Sequence, residues 1–186
     1  MSDALTVRWA TPADAGAIAR VHVDSWRATY PGLLPDEILA GLDVRRRMDE
    51  WGEWLAAEPP VFHTLMAEAG GELVGFLAIA FPARDAEEAD DVAEIPALYL
   101  DPRRRRQGIG RALMDAALRE MKARGYREAI LWILGGNEGA AAFYEAMGWR
   151  DDGGRRGSQY FPDLRELVEI RYRRALTGVS ARPEDG

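Results

Sequence analysis

The chain has 186 residues, 47% hydrophobic and 30% charged, a balance typical of one globular domain with a hydrophobic core. It has no cysteine and only two histidines, which excludes disulfides, a cysteine nucleophile and a multi-histidine metal centre, so no metal is expected. The net charge of −7 has the wrong sign for non-specific binding to nucleic acid, so no nucleic-acid partner is expected.

The first sixty residues predict one strand and two helical regions. Residues 5–10 alternate apolar and polar side chains, as a strand does. Thr11-Pro12 then supplies an N-cap and a favourable first helical residue, with Asp14 in the capping-box position. This helix is predicted to end near Pro31-Gly32. A second helical region is predicted over about 36–57, where Gly41 and Gly52 count against one continuous helix.

The middle of the chain predicts three strands. Residues 61–81 form a β-hairpin around Gly70-Gly71, because glycine tolerates the positive φ angles of a two-residue turn. An acidic, solvated loop is predicted over 82–92. The fourth strand, 93–100, follows this loop and is ended by Asp101-Pro102.

The C-terminal half continues the alternation of helices and strands. The pattern predicts helices over 109–124 and 138–148, a buried strand over 128–134 and closing strands at 149–154 and 167–174. The alternation indicates a mixed α/β (α+β) domain over 1–176, with a mobile tail at 177–186. The N-terminus has no apolar signal segment and no apolar run reaches transmembrane length, so we expect a cytoplasmic protein without a membrane partner.

Four consecutive arginines, 103–106, precede a turn that has glycines at 108 and 110. By composition the arginines suggest a nucleic-acid patch, which the acidic chain disfavours. The backbone gives a second interpretation, because the glycines stand at the start of a predicted helix. The first amides of a helix have no hydrogen-bond partner within it and attract an anion. The Walker and dinucleotide patterns both fail, because the Gly-Lys-Ser/Thr ending and the third glycine are missing. A phosphate-binding turn and a plain strand-to-helix connection both fit the spacing.

The same stretch resembles a signature of the GCN5-related N-acetyltransferase (GNAT) superfamily, Arg/Gln-x-x-Gly-x-Gly/Ala, at Arg105, Gly108 and Gly110. A second family motif, Asn-x-x-Ala-x-x-Phe-Tyr followed by Gly-Phe, is similar to "NEGAAAFYEAMGW" at 137–149. The one departure is Trp149 in place of the usual phenylalanine. Both motifs follow predicted strands, in the family's order, and the resemblance extends from the first strand to about residue 174.

The resemblance implies the GNAT fold, in which a mixed, mostly antiparallel sheet of about seven strands is flanked by helices and splays between strands 4 and 5. It implies an N-acetyltransferase that uses acetyl-CoA as cosubstrate and acetylates a primary amine of a small molecule, peptide or protein. Transfer is expected to be direct, in a ternary complex, because no cysteine is available for an acetyl-enzyme. A homodimer is compatible with the resemblance. The alternative is a non-catalytic acyl-CoA-binding module of the same fold.

The resemblance also implies the residues that bind acetyl-CoA. Backbone amides of the arginine–glycine turn would bind the pyrophosphate, and the end of the fourth strand would run beside the pantetheine. Asn137 would hydrogen-bond the pantetheine, although helix capping explains this residue equally well. The implied set is Leu98, Tyr99, Leu100, Arg105, Arg106, Gln107, Gly108, Ile109, Gly110, Arg111 and Asn137.

Two residues are candidates for proton transfer. Tyr144, early in a predicted helix, is implied as the proton donor to the departing thiolate, and its alternative is a core tyrosine beside Phe143. Glu94, in the fourth strand, corresponds to the general base of the histone-acetylating members, and its alternative is a solvated strand-end carboxylate. Trp26, Tyr30 and Tyr160 fall where the family forms the walls of the acceptor site.

Overall fold

A computed structural model of the protein describes residues 4–158, 161, 164 and 166–176. The strands are β1 (Thr6–Trp9), β2 (His63–Ala69), β3 (Glu72–Ala80), β4 (Val92–Leu100), β5 (Glu128–Leu134), β6 (Arg150–Gly157) and β7 (Val168–Ala175). The α-helices are α1 (Ala15–Thr29), α2 (Asp36–Ala40), α3 (Val44–Ala56), α4 (Ile109–Ala123) and α5 (Glu138–Ala146). The mobile tail predicted at 177–186 lies outside the described residues.

The seven strands form one sheet in the order β1-β2-β3-β4-β5-β7-β6. All neighbouring pairs are antiparallel except β4 and β5, which run parallel. The pairing of β4 with β5 covers Val92–Ile95 and Glu128–Leu131, and the two strands separate beyond it. The predicted mixed sheet, with a splay between its fourth and fifth strands, is confirmed.

Local chemistry explains most element boundaries. The hairpin of β2 and β3 turns at Gly70 and Gly71, with φ angles of 61° and 80°. The helical region predicted over 36–57 is divided, because α2 ends at Ala40 and α3 begins at Val44. Asp43 caps α3, since its side chain accepts hydrogen bonds from the amides of Arg45 and Arg46 at 2.7 and 3.1 Å.

The sheet has a hydrophobic core on each face. Adjacent residues of β3 point to opposite faces, so that Leu77 packs with α4 and Phe76 packs with α1 and α3. Helix α4 buries its apolar face, including Leu113 and Met121, which are both 0% exposed. The site described below lies where β4 and β5 leave this packed sheet.

His22 is a buried titratable group within the second of these cores. It is 6% exposed, its Nδ1 accepts a hydrogen bond from Trp51 Nε1 at 3.1 Å, and its ring stacks on Tyr99 at 4.7 Å. Burial lowers the pKa of His22 from 6.5 to about 3. The imidazole is therefore neutral in the folded protein at neutral pH, and it carries its proton on Nε2.

We expect this histidine to make folding stability depend on pH. The unfolded chain takes up a proton near pH 6.5 and the folded chain near pH 3, so stability is lost as pH falls through that window. The slope from one such group is at most about 1.4 kcal/mol per pH unit. His22→Asn keeps an acceptor for Trp51 without titrating, so its melting temperature should fall less steeply from pH 6.5 to 4. The same substitution at the half-buried His63 should change the pH dependence of the melting temperature less. Equal effects at both positions would contradict the conclusion that buried His22 causes this dependence.

Candidate active site

A cleft of about 660 Å³ opens where β4 and β5 diverge. Its walls come from the end of β4, the arginine–glycine turn before α4, helix α5 and one face of α1. The lining residues are Ser25, Thr29, Leu98, Tyr99, Leu100, Arg105, Arg106, Gly110, Asn137, Gly139, Ala140, Ala142, Phe143 and Tyr144. The structure therefore brings together residues of both sequence motifs, which are separated along the chain by a helix and a strand.

The turn before α4 presents backbone amides rather than side chains. Gly108 is the N-cap of α4 and has a φ of +80°, and Arg106 has a φ of 62°. The amide of Ala112 bonds to the carbonyl of Gly108 at 3.0 Å, so the helical amides before Ala112 have no partner within the helix. A Cβ at Gly108 would meet nothing within 4 Å, which leaves open space beside these amides. This is the geometry of an anion site at a helix N-terminus.

The second glycine of the motif has a different role. A Cβ at Gly110 would lie 3.3 Å from the ring of Phe143 and 3.5 Å from a methyl group of Leu100. Gly110 therefore allows the start of α4 to approach α5 and β4 closely. This approach determines the width of the cleft at the turn.

The arginines before the glycines do not share one environment. Arg105 crosses to α1 and donates a hydrogen bond from Nη2 to Thr29 Oγ1 at 2.6 Å. Arg106 also lines the cleft, whereas Arg103 forms an ion pair with Asp101 at 2.8 Å. Four members of the implied set do not line the cleft: Gln107, Gly108 and Arg111, which are exposed, and Ile109, which is buried in the core.

Strand β4 and the cap of α5 form the opposite side of the cleft. Beyond Ile95, β4 has separated from β5, so the backbone edge of Leu98, Tyr99 and Leu100 on that side is not paired to β5. Asn137 caps α5, because its Oδ1 accepts a hydrogen bond from the amide of Ala140 at 3.1 Å. Asn137 also lines the cleft, and its contact with pantetheine stays a prediction.

Tyr144 is buried at the inner wall of this cleft. Its side chain lies on α5, is 8% exposed and packs against Phe143 and Trp149 with ring centroids 5.2 and 6.1 Å away. Burial, together with the neighbouring phenol of Tyr30, raises the pKa of Tyr144. The phenol therefore keeps its proton throughout the physiological pH range, as a proton donor must.

Glu94 is not among the residues that line the cleft. It is 2% exposed, and its carboxylate accepts three hydrogen bonds from Arg84, from the amide and Nε at 3.0 Å and from Nη2 at 2.6 Å. The structure does not bring Glu94 together with Tyr144. In the structure, Glu94 binds Arg84. Its role as general base stays a prediction.

We expect Glu94→Gln to destabilise the protein by about 2 kcal/mol, because it weakens buried hydrogen bonds to a charged group. Arg84→Gln should destabilise it as well, since that change removes the guanidinium and leaves the buried carboxylate without its charged partner. If Glu94 is the base, kcat/KM of the native protein falls at low pH and Glu94→Gln abolishes this fall. A pH–rate profile of Glu94→Gln that matches that of the native protein would contradict the role of Glu94 as general base.

A second, smaller cavity of about 50 Å³ adjoins the cleft. Tyr99 lines both, and the two acceptor-site residues predicted in α1 and after it, Trp26 and Tyr30, line the smaller one. Their rings pack edge to face at 5.1 Å. The third predicted acceptor residue, Tyr160, lies outside the described residues. The remaining lining residues are Leu34, Pro96, Trp132, Leu134, Ser158, Phe161 and Glu169.

Sequence reasoning missed several residues of these cavities. Ser25 and Thr29 both line the cleft, and their spacing of four residues places the two hydroxyl groups on one face of α1. The sequence alone could therefore have predicted a shared helix face for these two residues. It could not have predicted the hydrogen bond between Thr29 and Arg105. Ser158 and Glu169 line the smaller cavity, and no sequence pattern distinguishes them from surface residues.

Comparison with known proteins agrees with this geometry. The acetyltransferase (GNAT) family matches residues 20–149 of the chain. The uncharacterized N-acetyltransferase YuaI of Bacillus subtilis is 34% identical over 142 residues, which are 76% of this chain and 78% of YuaI. Several other relatives are longer, and the chain spans about half or less of the mycothiol acetyltransferases that it matches.

Two solved structures show the fold with the cofactor of the family. The PaiA N-acetyltransferase from Thermoplasma acidophilum, in complex with coenzyme A, has a TM-score of 0.75 at 22% identity, over 92% of this chain and 99% of that one. YncA from Salmonella typhimurium, with acetyl-CoA, has a TM-score of 0.69 at 18% identity, over 99% of this chain and 100% of that one. Coenzyme A or its acetyl ester is therefore bound by proteins of this fold.

The chain belongs to the acetyltransferase (GNAT) family. As a member it is an N-acetyltransferase. No helix among the described residues is long and apolar enough to cross a membrane. The described residues also contain no group of three potential metal-binding side chains.

Proposed function

We propose that the protein transfers an acetyl group from acetyl-CoA directly to a primary amine, with both substrates bound at once. The observation that carries this proposal is that a large cleft and a small cavity are both lined by Tyr99, where β4 leaves β5. One opening suits an elongated cofactor, and the other suits an amino group. Two sites that share one residue allow a thioester and an amine to approach each other.

The residues of the cleft fit acetyl-CoA in two respects. The unpartnered amides at the start of α4, beside the open space at Gly108, suit a pyrophosphate. The backbone edge of β4 beyond Ile95, which is not paired to β5, suits the amides of pantetheine. When bound there, acetyl-CoA supplies a thioester, the activated acetyl group of the reaction.

Tyr144 is proposed as the proton donor to the sulfur that leaves. It lines the cleft, and its raised pKa keeps the phenol protonated at neutral pH. Trp26 and Tyr30 are proposed to surround the incoming amine. Only the neutral amine is a nucleophile, so the acceptor has to lose its ammonium proton before transfer.

The test is the release of coenzyme A with a panel of amines, together with calorimetry of acetyl-CoA binding. We expect micromolar to millimolar KM values for acetyl-CoA and turnover with at least one amine. Binding of acetyl-CoA without turnover of any amine would instead indicate a non-catalytic acyl-CoA-binding protein. Absence of acetyl-CoA binding would overturn the proposal.

A further inference from the structure

We propose that Thr29 is a positioning residue for the cofactor: its hydroxyl holds the guanidinium of Arg105 at the cleft, where that group binds the diphosphate of acetyl-CoA. This inference rests on the proposed binding of acetyl-CoA and deepens it. It adds helix α1, which carries neither sequence motif, to the elements that bind the cofactor. It depends on one hydrogen bond, on the charge of Arg105 and on the place of both residues in the cleft.

The hydrogen bond joins two walls of the cleft. Arg105 Nη2 donates to Thr29 Oγ1 at 2.6 Å, and the two residues are 76 positions apart in the chain. Both residues line the cleft. A guanidinium has five N–H donors, so a bond to one hydroxyl leaves the others for an anion. The bond therefore holds the guanidinium at the cleft without using up its donors.

The charge of Arg105 is not neutralised within the described part of the chain. Arg103, in the same run of arginines, pairs with the carboxylate of Asp101 at 2.8 Å. Arg105 has the neutral hydroxyl of Thr29 as its side-chain partner instead, and it forms no ion pair with any described carboxylate. A planar guanidinium of full charge matches the oxygens of a phosphate group. The amides at the start of α4 attract an anion to the same turn.

Thr29 can hold this long side chain in place because its own position is restricted. It is the last residue of α1, and its branched Cβ limits the orientations of its hydroxyl. One turn earlier on the same face, Ser25 also lines the cleft and is 5% exposed, so this end of α1 is packed. An arginine that is already held loses less rotamer freedom when a ligand binds, which favours binding.

The hydroxyl is tested by calorimetry of CoA binding to Thr29→Val and Thr29→Ser. Arg105 is exposed, so we expect both variants to fold. Thr29→Val, which removes the hydroxyl, should raise the dissociation constant about fivefold, and Thr29→Ser, which keeps it, should stay within about twofold of the native value. A native dissociation constant in folded Thr29→Val would overturn the inference. A native protein that does not bind CoA would instead overturn the proposed function itself.

Two further measurements decide whether Thr29 acts through the charge of Arg105. Arg105→Gln should weaken CoA binding at least as much as Thr29→Val, and adding Thr29→Val to it should cause no further loss. Salt screens a contact between guanidinium and phosphate, so both single variants should reduce the salt dependence of CoA affinity. Additive losses, or a native salt dependence in Thr29→Val, would indicate a purely structural link between α1 and the turn and would overturn the inference.

Dephospho-CoA identifies which phosphate group is bound. This molecule keeps the diphosphate of CoA and lacks the phosphate on the ribose. Thr29→Val should therefore weaken the binding of CoA and of dephospho-CoA by the same factor. A loss confined to CoA would overturn the assignment of Arg105 to the diphosphate.

The matched control is Thr6→Val. Thr6 is exposed on β1 and does not line the cleft. The same substitution at this position should leave the dissociation constants of CoA and dephospho-CoA at their native values. A loss of affinity equal to that of Thr29→Val would show that the effect does not come from the contact with Arg105, and would overturn the inference.

Discussion

Replacing Tyr144 by phenylalanine is expected to lower kcat about 100-fold and to leave the dissociation constant of acetyl-CoA unchanged. The substitution removes only the hydroxyl group, so the ring keeps its contacts with Phe143 and Trp149. If Tyr144 protonates the departing sulfur, its loss affects the reaction and not the binding of the cofactor. Steady-state kinetics with a reactive amine and calorimetry with acetyl-CoA measure the two effects separately.

The control for this change is Tyr172→Phe. Tyr172 is 5% exposed in the same core and donates its hydroxyl to Glu145 at 3.1 Å, but it does not line the cleft. Its substitution should affect stability and not kcat. Equal kcat values for Tyr144→Phe and the native protein would remove the proton-donor role.

The pH dependence gives a further check on the same residue. A donor acts in its protonated form, so kcat would fall as pH rises through its pKa. Burial raises the pKa of Tyr144 above the ordinary value of 10. Tyr144 should therefore cause no decrease in kcat between pH 7 and 10, and any decrease in that range should persist in Tyr144→Phe.

Replacing Gly110 by valine is expected to weaken acetyl-CoA binding about 100-fold. The first carbon of the new side chain would already lie 3.3 Å from the Phe143 ring, and its methyl groups would have to enter the cleft or push α4 from α5. Overpacking of this kind costs about 1–3 kcal/mol, and 100-fold in affinity corresponds to about 2.7 kcal/mol. Calorimetry with acetyl-CoA measures the loss directly.

The matched control adds the same side chain to the other end of the same helix. Ala123 is exposed in the last turn of α4, so Ala123→Val should leave acetyl-CoA binding unchanged. A Gly110→Val protein with native stability and native affinity would show that the close approach of α4 and α5 does not define the binding cleft.

The elements with strong local signals were predictable from the sequence. The hairpin at Gly70-Gly71 and the start of α4 after Gly108 both depend on positive φ angles, which glycine adopts readily. The break between α2 and α3 was predictable only in part, because Gly41 and Gly52 both counted against a continuous helix while the apolar periodicity continues across the break. The signals for the break were Gly41 and the capping residue Asp43, which outweigh periodicity at that point.

The residues of the site were predictable only in part. The motif residues Gly110 and Tyr144 line the cleft, since each motif lies within one strand-to-helix unit whose local geometry the sequence specifies. The contact of Arg105 with Thr29 joins residues 76 positions apart, and Glu169 reaches its cavity through the pairing of β7 with β5. Contacts of this kind depend on strand register and helix placement, which one sequence does not reveal.

The ring of Tyr99 has a consequence for the order in which the two substrates bind. The ring lines both cavities and stacks on the ring of His22. His22 in turn accepts a hydrogen bond from Trp51 Nε1. Any movement of this ring on binding one substrate would change the affinity for the other, and linkage makes that effect equal in both directions. Because the ring is already packed in place, both sites exist before either substrate arrives. Random addition, with little thermodynamic coupling between cofactor and amine, is the behaviour that such a rigid shared residue favours.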